Sequence, residues 1–254
     1  MDVNTMKLLI CGAFGKMGRT VAEIASERDD CCVAAGVDVG AGEAAFPVYA
    51  APSLVREEAD VLVDFSTPAA LTGILEYAVA KGMPVVLATT GYSPEQVELI
   101  RRTAERIPVF FSANMSLGVN LLSELAKTAA RVLGTTYDIE IVEMHHHRKV
   151  DAPSGTALML AREIASALPE PPEFVYDRHE RREKRHKNEI GMHAVRGGTI
   201  VGEHEILFCG TDEVIKLSHS AGSRAVFASG AVNAAVFLCG KPAGLYSMHD
   251  LVKE

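Results

Sequence analysis

The first 115 residues alternate short apolar segments with longer amphipathic ones. Five apolar segments are bounded by Gly, Pro or polar residues: KLLICGA, CCVAAGVD, DVLVDFS, PVVLATTG and PVFFSANM. Strands that are buried on both faces have this nearly continuous apolar character. The segments GRTVAEIASER, PAALTGILEYAVAKG and SPEQVELIRRTAERI lie between them and repeat apolar residues at helical spacing. The alternation predicts a parallel sheet with helices on both faces.

The pattern changes after residue 116. A helical segment, GVNLLSELAKTAARVLG, leads into the alternating YDIEIVEMHHH, and a second helix is predicted from Ser154 to about Leu168. Three strand-like segments then follow one another without a helix between them: EIGMHAVRGG, IVGEHEILFCG and DEVIKLSHSAG. Successive strands indicate an antiparallel or mixed sheet in a second, α+β unit. The apolar, helical tail SRAVFASGAVNAAVFLCGKPAGLY is expected to pack on the first unit.

Three glycines lie between the first predicted strand and the first predicted helix. Gly12, Gly15 and Gly18 form a GxxGxxG pattern, a relative of the dinucleotide-binding fingerprint. Such glycines can serve chain packing alone, or they can let a diphosphate approach the N–H groups at the helix start. Asp38 ends the second strand, at the position where a carboxylate accepts hydrogen bonds from the adenosine ribose. Together they predict a Rossmann-like, doubly wound sheet that binds a nicotinamide dinucleotide.

The residues around Asp38 also predict which nicotinamide cofactor is used. A carboxylate there repels the 2′-phosphate of NADPH, and the next residue, Val39, supplies no guanidinium to attract it. Losing one charged contact costs roughly 1.5–3 kcal/mol, about one to two decades in affinity. We therefore expect NADH to be preferred over NADPH, with Lys7 and Lys16 as cations that could partly offset the preference.

The charge of the chain narrows the choice of partners. The formal net charge is −8 and the pI is about 5.6, which argues against nucleic acid or an anionic membrane as the main partner. The five cysteines are scattered and show no CxxC spacing, as expected in a reducing compartment. No apolar stretch approaches the ~20 residues of a membrane span, and the N-terminus does not resemble a signal peptide. We expect a cytoplasmic protein that binds anions only locally.

The segment HHHRKVDAPSGTA concentrates ionisable groups and allows three interpretations. His145 and His147, two residues apart on a strand, could bind zinc together with Glu143. Lys149 would lie on the same face if the strand continued, and an ammonium group beside a dication is unfavourable. The histidines could instead form a solvated strand end.

The third interpretation is a catalytic site that binds anions. Pro153 and Ser154 are expected to start a helix, so that the N–H groups of Gly155 and Thr156 and the hydroxyls of Ser154 and Thr156 could bind a carboxylate. Lys149 and the upstream histidines could neutralise a second carboxylate or donate a proton. This interpretation predicts a small dianionic substrate.

The segment PEPPEFVYDRHERREKRHKNE combines prolines with mixed charges. It could be a mobile basic lid over an anionic ligand or a solvated loop. Acids interspersed among the bases favour the solvated loop.

The motif EMHHHRKVDAPSGTA resembles the signature E-x-H-H-x-x-K-x-D-A-P-S-G-T-A of the 4-hydroxy-tetrahydrodipicolinate reductase (dihydrodipicolinate reductase) family. The similarity extends through GAFGKMGR, VDFSTP, ATTGY, SANMSLGVN, GMHAVRGGTIVGEHEILF and GLYSMHDL, and so covers nearly the whole chain. The resemblance implies hydride transfer from NADH or NADPH to a cyclic dicarboxylate, with loss of water, in the diaminopimelate pathway to lysine.

The resemblance also implies roles for individual residues. Lys149 matches the proton donor and His145 the histidine that assists it. The substrate-binding positions match Thr90, His146, Lys149, Ser154, Gly155 and Thr156. The cofactor-binding positions match Gly12, Gly15, Lys16, Met17, Gly18, Asp38, Phe65, Ser66, Ala88, Thr90, Gly91, Ala113, Asn114 and Met115. The resemblance assigns no metal.

The same resemblance implies a homotetramer built from two-domain chains. Residues 1–116 with 230–254 would form the dinucleotide-binding domain, and residues 117–229 the mixed-sheet domain for substrate binding and oligomerisation. Two features depart from the family. Phe14 stands where many members have Ala or Gly, and the loop over residues 177–190 lacks the usual Gly-rich pattern.

Two further points complete the expectations. A regular strand would place His145 and His146 on opposite faces, so both reach one substrate only if the strand ends or twists there; His147 and Arg148 are expected to be solvated. The residues alone also leave open a dinucleotide-binding sensor, another NAD(P)H oxidoreductase of amino or keto dicarboxylates, and a metal hydrolase. Lys149 and the Ser-Gly-Thr turn disfavour the sensor, which would need neither.

Overall fold

The computed structural model describes residues 5–112, 114–179 and 181–253. The chain folds into two compact units. One contains the residues up to Leu117 together with those from Ala225 onward, and the other is Gly118–Arg224. Within the described part of the chain, no helix combines the length and the apolar character that crossing a membrane requires.

The first unit is built on a parallel sheet with the strand order β12-β6-β5-β4-β1-β2-β3. The strands are β1 Met6–Cys11, β2 Cys31–Val37, β3 Val48–Tyr49, β4 Val61–Asp64, β5 Val85–Leu87, β6 Pro108–Phe111 and β12 Gly244–Tyr246. The predicted parallel sheet is confirmed. Two strands of two and three residues, β3 and β12, were not predicted.

Helices cover both faces of this sheet, as predicted. They are α1 Lys16–Ser26, α2 Leu71–Lys81, α3 Pro94–Ala104, α6 Ala225–Leu238 and α7 Met248–Lys253. Alternate residues of β1 enter opposite cores. Leu8 and Ile10 pack in the core that contains α1 and α6, whereas Leu9 and Cys11 pack in the core that contains α2 and α3.

The tail of the chain packs on the first unit, as its apolar character predicted. Helix α6 buries a row of small residues against the sheet, and a Cβ on Gly230 would lie 1.6 Å from the carbonyl oxygen of Met115. Only glycine allows so close an approach. The helix therefore fixes the segment that follows β6.

The second unit contains the predicted mixed sheet, in the order β11-β10-β7-β9-β8. The strands are β7 Asp138–His145, β8 Glu173–Val175, β9 Glu189–Arg196, β10 Gly202–Cys209 and β11 Val214–Ala221. Strand β7 runs parallel to β9 and antiparallel to β10. The helices α4 Leu117–Leu133 and α5 Gly155–Ala167 cover one face of this sheet and enclose a third hydrophobic core, in addition to the two of the first unit. The opposite face presents exposed apolar side chains such as Val195 and Val214.

The charged segment before β9 differs from the solvated loop that its composition favoured. Part of it forms β8, and Arg178, Arg181 and Arg185 form ion pairs with acids of β7, β8 and β9. Glu140 receives hydrogen bonds from Arg178 at 3.1 Å, from Arg185 at 3.0 Å and lies 2.7 Å from His193 Nε2. These arginines thus bind the segment to the sheet.

This network predicts a stability that depends on pH. Burial opposes ionisation of Glu140, but hydrogen bonds from His193 and Arg185 outweigh it and hold the pKa of the carboxyl below its usual value. The ion pairs therefore contribute fully above the ordinary glutamate pKa of about 4.3, and their contribution is lost as the pH falls through the lowered value. We expect Glu140→Gln to reduce the free energy of unfolding at pH 7 by about 1–3 kcal/mol.

Urea unfolding of both proteins at pH 7 and at pH 3 measures this effect. The difference between them should shrink at pH 3, because below the ordinary glutamate pKa protonation competes with the ion pairs and their contribution declines. Equal stability at pH 7, or a difference that persists unchanged at pH 3, would contradict the ion-pair account.

Candidate active site

The predicted cofactor residues of the first unit lie at the carboxyl end of its parallel sheet. The loops after β1, β2, β4, β5 and β6 carry Gly12 to Gly18, Asp38, Phe65 and Ser66, Ala88 to Gly91, and Asn114 and Met115, in that order. Strand β1 pairs with β2 on one side and with β4 on the other, so the strand order reverses there. Open α/β sheets bind dinucleotides at such a point. Ala113 lies outside the described residues.

Each glycine of the first loop meets a steric demand. Gly12 has a φ of 79°, and a Cβ on it would lie 2.6 Å from the carbonyl oxygen of Phe65. A Cβ on Gly18 would lie 2.1 Å from the carbonyl oxygen of Gly12. Gly15 occupies the N-cap position of α1 and, lacking a side chain, leaves room over the N–H groups of the first turn. The same glycines therefore meet the packing requirement and leave bare backbone at the helix start, as an anion site would need.

Asp38 connects the glycine loop to the end of β2. Its Oδ2 accepts a hydrogen bond from the Phe14 N–H at 2.8 Å, and its Oδ1 accepts one from the Gly40 N–H at 2.8 Å. Arg19, which the sequence reasoning missed, donates from Nε to the Phe14 carbonyl at 3.0 Å. A guanidinium on α1 and the predicted ribose-binding acid after β2 thus contact the same residue of the glycine loop, Phe14. The signal of Arg19 was its place one turn after Gly15 in GKMGR.

The two lysines named as cations near the cofactor separate in the structure. Lys16 begins α1 and is exposed beside the glycine loop. Lys7 is the second residue of β1, five residues before Gly12, which places it about 16 Å away at ~3.3 Å per residue. The expectation that Lys7 could offset the charge of Asp38 is therefore wrong, because the cofactor residues lie at the other end of the strand.

A buried carboxylate joins the loops after β4 and β5. Asp64 is fully buried and accepts hydrogen bonds from the Ser66 N–H at 2.9 Å, the Ser66 hydroxyl at 2.5 Å and the Tyr92 hydroxyl at 3.1 Å. Burial, together with the charge of Asp64, raises the pKa of Tyr92, so the phenol stays protonated and remains a donor. Asp64 thereby holds the loops that carry Phe65 and the exposed Thr90. Sequence reasoning did not single out Asp64 or Tyr92.

In the second unit, β7 ends at His145. This is where an end or twist of the strand was expected, so that His145 and His146 could both reach one substrate. Beyond the strand end, the Lys149 N–H donates to the His146 carbonyl at 3.0 Å, which closes a turn. His145 is buried, while His147 and Arg148 are exposed, as expected. The predicted break is confirmed, and the turn lets neighbouring residues leave the alternation of the strand.

Glu143 is the centre of the hydrogen bonds beneath this turn. Its side chain is 1% exposed, and its two oxygens accept a bidentate pair from Arg196 at 2.7 Å each. Oε2 also lies 2.6 Å from His145 Nδ1, and Oε1 accepts from the Ser154 N–H at 3.0 Å. Glu143 had been considered only as a zinc ligand. Its carboxylate is instead neutralised by a guanidinium, which removes the charge that would attract a metal.

Ser154 starts α5, as predicted, but its polar groups are used within the unit. Its hydroxyl accepts from the Ala157 N–H at 3.1 Å and lies 3.0 Å from His204 Nε2, and the residue is 2% exposed. Burial, and next the charge of His145, lowers the pKa of His204 to about 4, so His204 is neutral at pH 7. Ser154 therefore shapes the helix start, whereas Gly155 is exposed beside it.

Lys149 forms an ion pair within the same loop. Its Nζ lies 2.8 Å from Asp151 Oδ1, and this hydrogen bond lowers the pKa of Asp151. Arg196 donates to the Asp151 carbonyl at 2.6 Å, so the loop is fixed at both of its ends. The second unit thus brings His145, His146, Lys149 and the start of α5 together within one short segment of the chain. Such an arrangement can bind carboxylates and donate a proton.

Sequence reasoning identified the cations of this loop but missed the residues beneath it. Arg196 and His204 lie on β9 and β10, 45 and 50 residues from Asp151 and Ser154, which they contact. Their only sequence signal was an ionisable residue at a core-facing position of a strand.

Comparison with known proteins finds one enzyme family over nearly the whole chain. The family models "Dihydrodipicolinate reductase, N-terminus" and "Dihydrodipicolinate reductase, C-terminus" match residues 6–115 and 118–252. A 4-hydroxy-tetrahydrodipicolinate reductase of Caldanaerobacter subterraneus subsp. tengcongensis is 53% identical over 249 residues, covering 98% of this chain and 99% of the relative. The protein of the same name from Clostridium tetani is 45% identical over 256 residues, covering 100% of both.

A solved structure with the same architecture is the dipicolinate-bound dihydrodipicolinate reductase of Paenisporosarcina sp. TG-14. It is 25% identical, with a TM-score of 0.82, and the match covers 97% of this chain and 99% of that one. A diaminopimelate dehydrogenase of C. glutamicum, at 16% identity and a TM-score of 0.57, shares the fold alone. On the matches to both family models and to full-length relatives, this chain belongs to the dihydrodipicolinate reductase family.

Proposed function

We propose that the chain reduces 4-hydroxy-tetrahydrodipicolinate to tetrahydrodipicolinate, with loss of water, in the diaminopimelate pathway to lysine in the cytoplasm. The observation that carries this proposal is the folded form of the EMHHHRKVDAPSGTA motif: a strand end, a turn and a helix start that present His145, Lys149 and Gly155 from one loop. The relatives at 53% and 45% identity bear this enzyme's name, and a structural relative binds dipicolinate.

The first unit fits a nicotinamide dinucleotide. Gly12 and Gly18 require bare backbone at their close contacts, Gly15 opens the start of α1, and Asp38 lies at the end of β2. We assign the diphosphate to the glycine loop with Lys16 and Met17, and the ribose to Asp38. The remaining cofactor contacts are assigned to Phe65, Ser66, Ala88, Thr90, Gly91, Ala113, Asn114 and Met115. NAD(P)H, when bound, supplies the hydride.

The second unit supplies charge and a proton. Lys149 carries the proton at Nζ, and His145 assists by stabilising charge on the substrate. His146 and Lys149 bind one carboxylate, and the start of α5 at Gly155 and Thr156 binds the other. Because the Ser154 N–H and hydroxyl are already hydrogen-bonded, Ser154 contributes by setting the position of that helix start.

Replacing the proton donor tests the reaction. We expect Lys149→Met to lower kcat by about 10²–10⁴-fold, the usual contribution of a positioned acid. The assay follows NADH oxidation while the preceding synthase generates the substrate in situ. The matched control is Arg148→Met, which removes an exposed cation from the same turn and should keep nearly full activity.

Three outcomes would count against the proposal. Full activity of Lys149→Met would remove Lys149 from the mechanism, and equal losses in both variants would indicate a general effect of charge. A wild-type protein that binds NADH without turnover would support the sensor instead.

We propose that NADH is the preferred cofactor. The charge of Asp38 and the exposed Val39 disfavour a 2′-phosphate, while Arg19 and Lys16, in the first turn of α1 beside the glycine loop, are the cations that oppose this preference. Asp38→Asn removes the repulsion and keeps one acceptor for the Phe14 N–H. We expect it to raise kcat/KM for NADPH relative to NADH by about tenfold, as one lost charged contact implies. A wild-type preference for NADPH would show that Arg19 and Lys16 dominate.

We also propose a homotetramer formed through the open face of the second sheet. Val195 and Val214 are 43% and 51% exposed on strands β9 and β11, so two separate parts of this face offer apolar side chains for association with further copies. Sedimentation equilibrium should give about four times the chain mass of 27.2 kDa. A monomer mass at micromolar concentration would contradict this proposal.

A further inference from the structure

Glu143 contacts three parts of the candidate site at once. Its carboxylate lies against His145 on its own strand, Arg196 on β9 and the Ser154 N–H at the start of α5. It is almost completely buried, so water contributes little to satisfying its oxygens. A buried carboxylate is tolerated only when such partners neutralise and hydrogen-bond it.

A carboxylate can accept hydrogen bonds but cannot donate them. Glu143 therefore requires a donor at each contact, including His145 Nδ1, which lies 2.6 Å away. This requirement places a proton on Nδ1 and leaves Nε2 as the ring nitrogen that exchanges protons or hydrogen bonds with a ligand. In metal and hydrolase sites, an acid in this position orients the imidazole in the same manner.

At the opposite edge of the His145 ring, beside Nε2, residue 202 is a glycine and carries no side chain. A Cβ on Gly202 would lie 3.1 Å from His145 Nε2, a tighter contact than side chains normally make. His204 packs edge to face against the same ring, with centroids 5.3 Å apart. Glu143 and His204 thus hold the ring, while Gly202 has no side chain that would crowd Nε2.

We infer that Glu143 is a positioning residue of the reductase: it sets the Nδ1–H tautomer of His145 and, through Arg196 and Ser154, the position of the helix start that binds a substrate carboxylate. The inference rests on the proposed function. It adds a residue that acts through His145 and α5 and does not itself contact the substrate.

The variant Glu143→Gln keeps the shape of the side chain but replaces one accepting oxygen with an NH2 group, which donates. One end of a glutamine amide is a donor, so it must face either the Ser154 N–H or His145 Nδ1, with an Arg196 nitrogen beside it in both cases. The first arrangement displaces the helix start, and the second favours the other tautomer of His145. We expect kcat to fall about 10²-fold, with a smaller change in KM for the substrate.

The matched control is Glu140→Gln. Glu140 lies on the opposite face of the same strand and also loses pairs with two arginines and a histidine. It should lose stability but keep kcat within about threefold. Histidine-selective ¹⁵N NMR, which distinguishes the two tautomers, should show His145 as Nδ1–H in the wild type and altered in Glu143→Gln alone.

The outcomes separate this inference from the proposed function. Absence of wild-type turnover defeats the proposed function, while the NMR spectra and calorimetric binding of dipicolinate still test Glu143. A wild-type Nε2–H tautomer, unchanged kcat in Glu143→Gln, or an equal loss in Glu140→Gln overturns the inference.

A second variant is available if Glu143→Gln does not fold. Gly202→Ala leaves Glu143 in place and crowds Nε2 by a few tenths of an ångström. It should lower kcat several-fold while Arg148→Met does not, and an unchanged kcat would show that the open Nε2 edge is not used.

Discussion

The buried pair between Glu143 and Arg196 is the interaction on which the site of the second unit depends. A carboxylate that is 1% exposed is unstable unless donors surround it, and here the donors come from β7, β9 and the start of α5. Because the buried charge would be destabilising without these donors, the donors must keep their positions around it. Strand end, turn and helix start can each move only by breaking a charged hydrogen bond, so the cations of the loop are held before any ligand binds.

The first unit uses the same physical device. Asp64 is fully buried and gathers Ser66 and Tyr92, while Asp38 gathers the N–H groups of Phe14 and Gly40. In both units, carboxylates accept hydrogen bonds from the loops that carry the predicted site residues and so arrange those loops. The proposed anion sites are compatible with a net charge of −8, because a few cations and helix starts can create a local positive potential whatever the total charge.

The elements that could be predicted are those whose signal is local. Buried strands of four or more residues, the start of α5 at Ser154 and the strand end at His145 all follow from neighbouring residues. Strands β3, β8 and β12 were missed because two or three residues show no periodicity and none of them is a fully buried apolar segment like the equally short β5. The pairs of Arg178 and Arg185 with Glu140 join residues 38 and 45 positions apart, which composition cannot show. Lys7 was misjudged because its charge was considered without the direction of its strand.

The most direct test of this account is a crystal structure of the protein with NADH and dipicolinate bound. The account predicts that Lys149 Nζ leaves Asp151 and contacts one carboxylate, that the N–H groups at the start of α5 contact the other, and that Glu143 keeps its bonds to His145, Arg196 and Ser154. Dipicolinate bound away from Lys149 and α5, or a Glu143 carboxylate that changes partners on binding, would contradict the claim that buried acids hold the site in place.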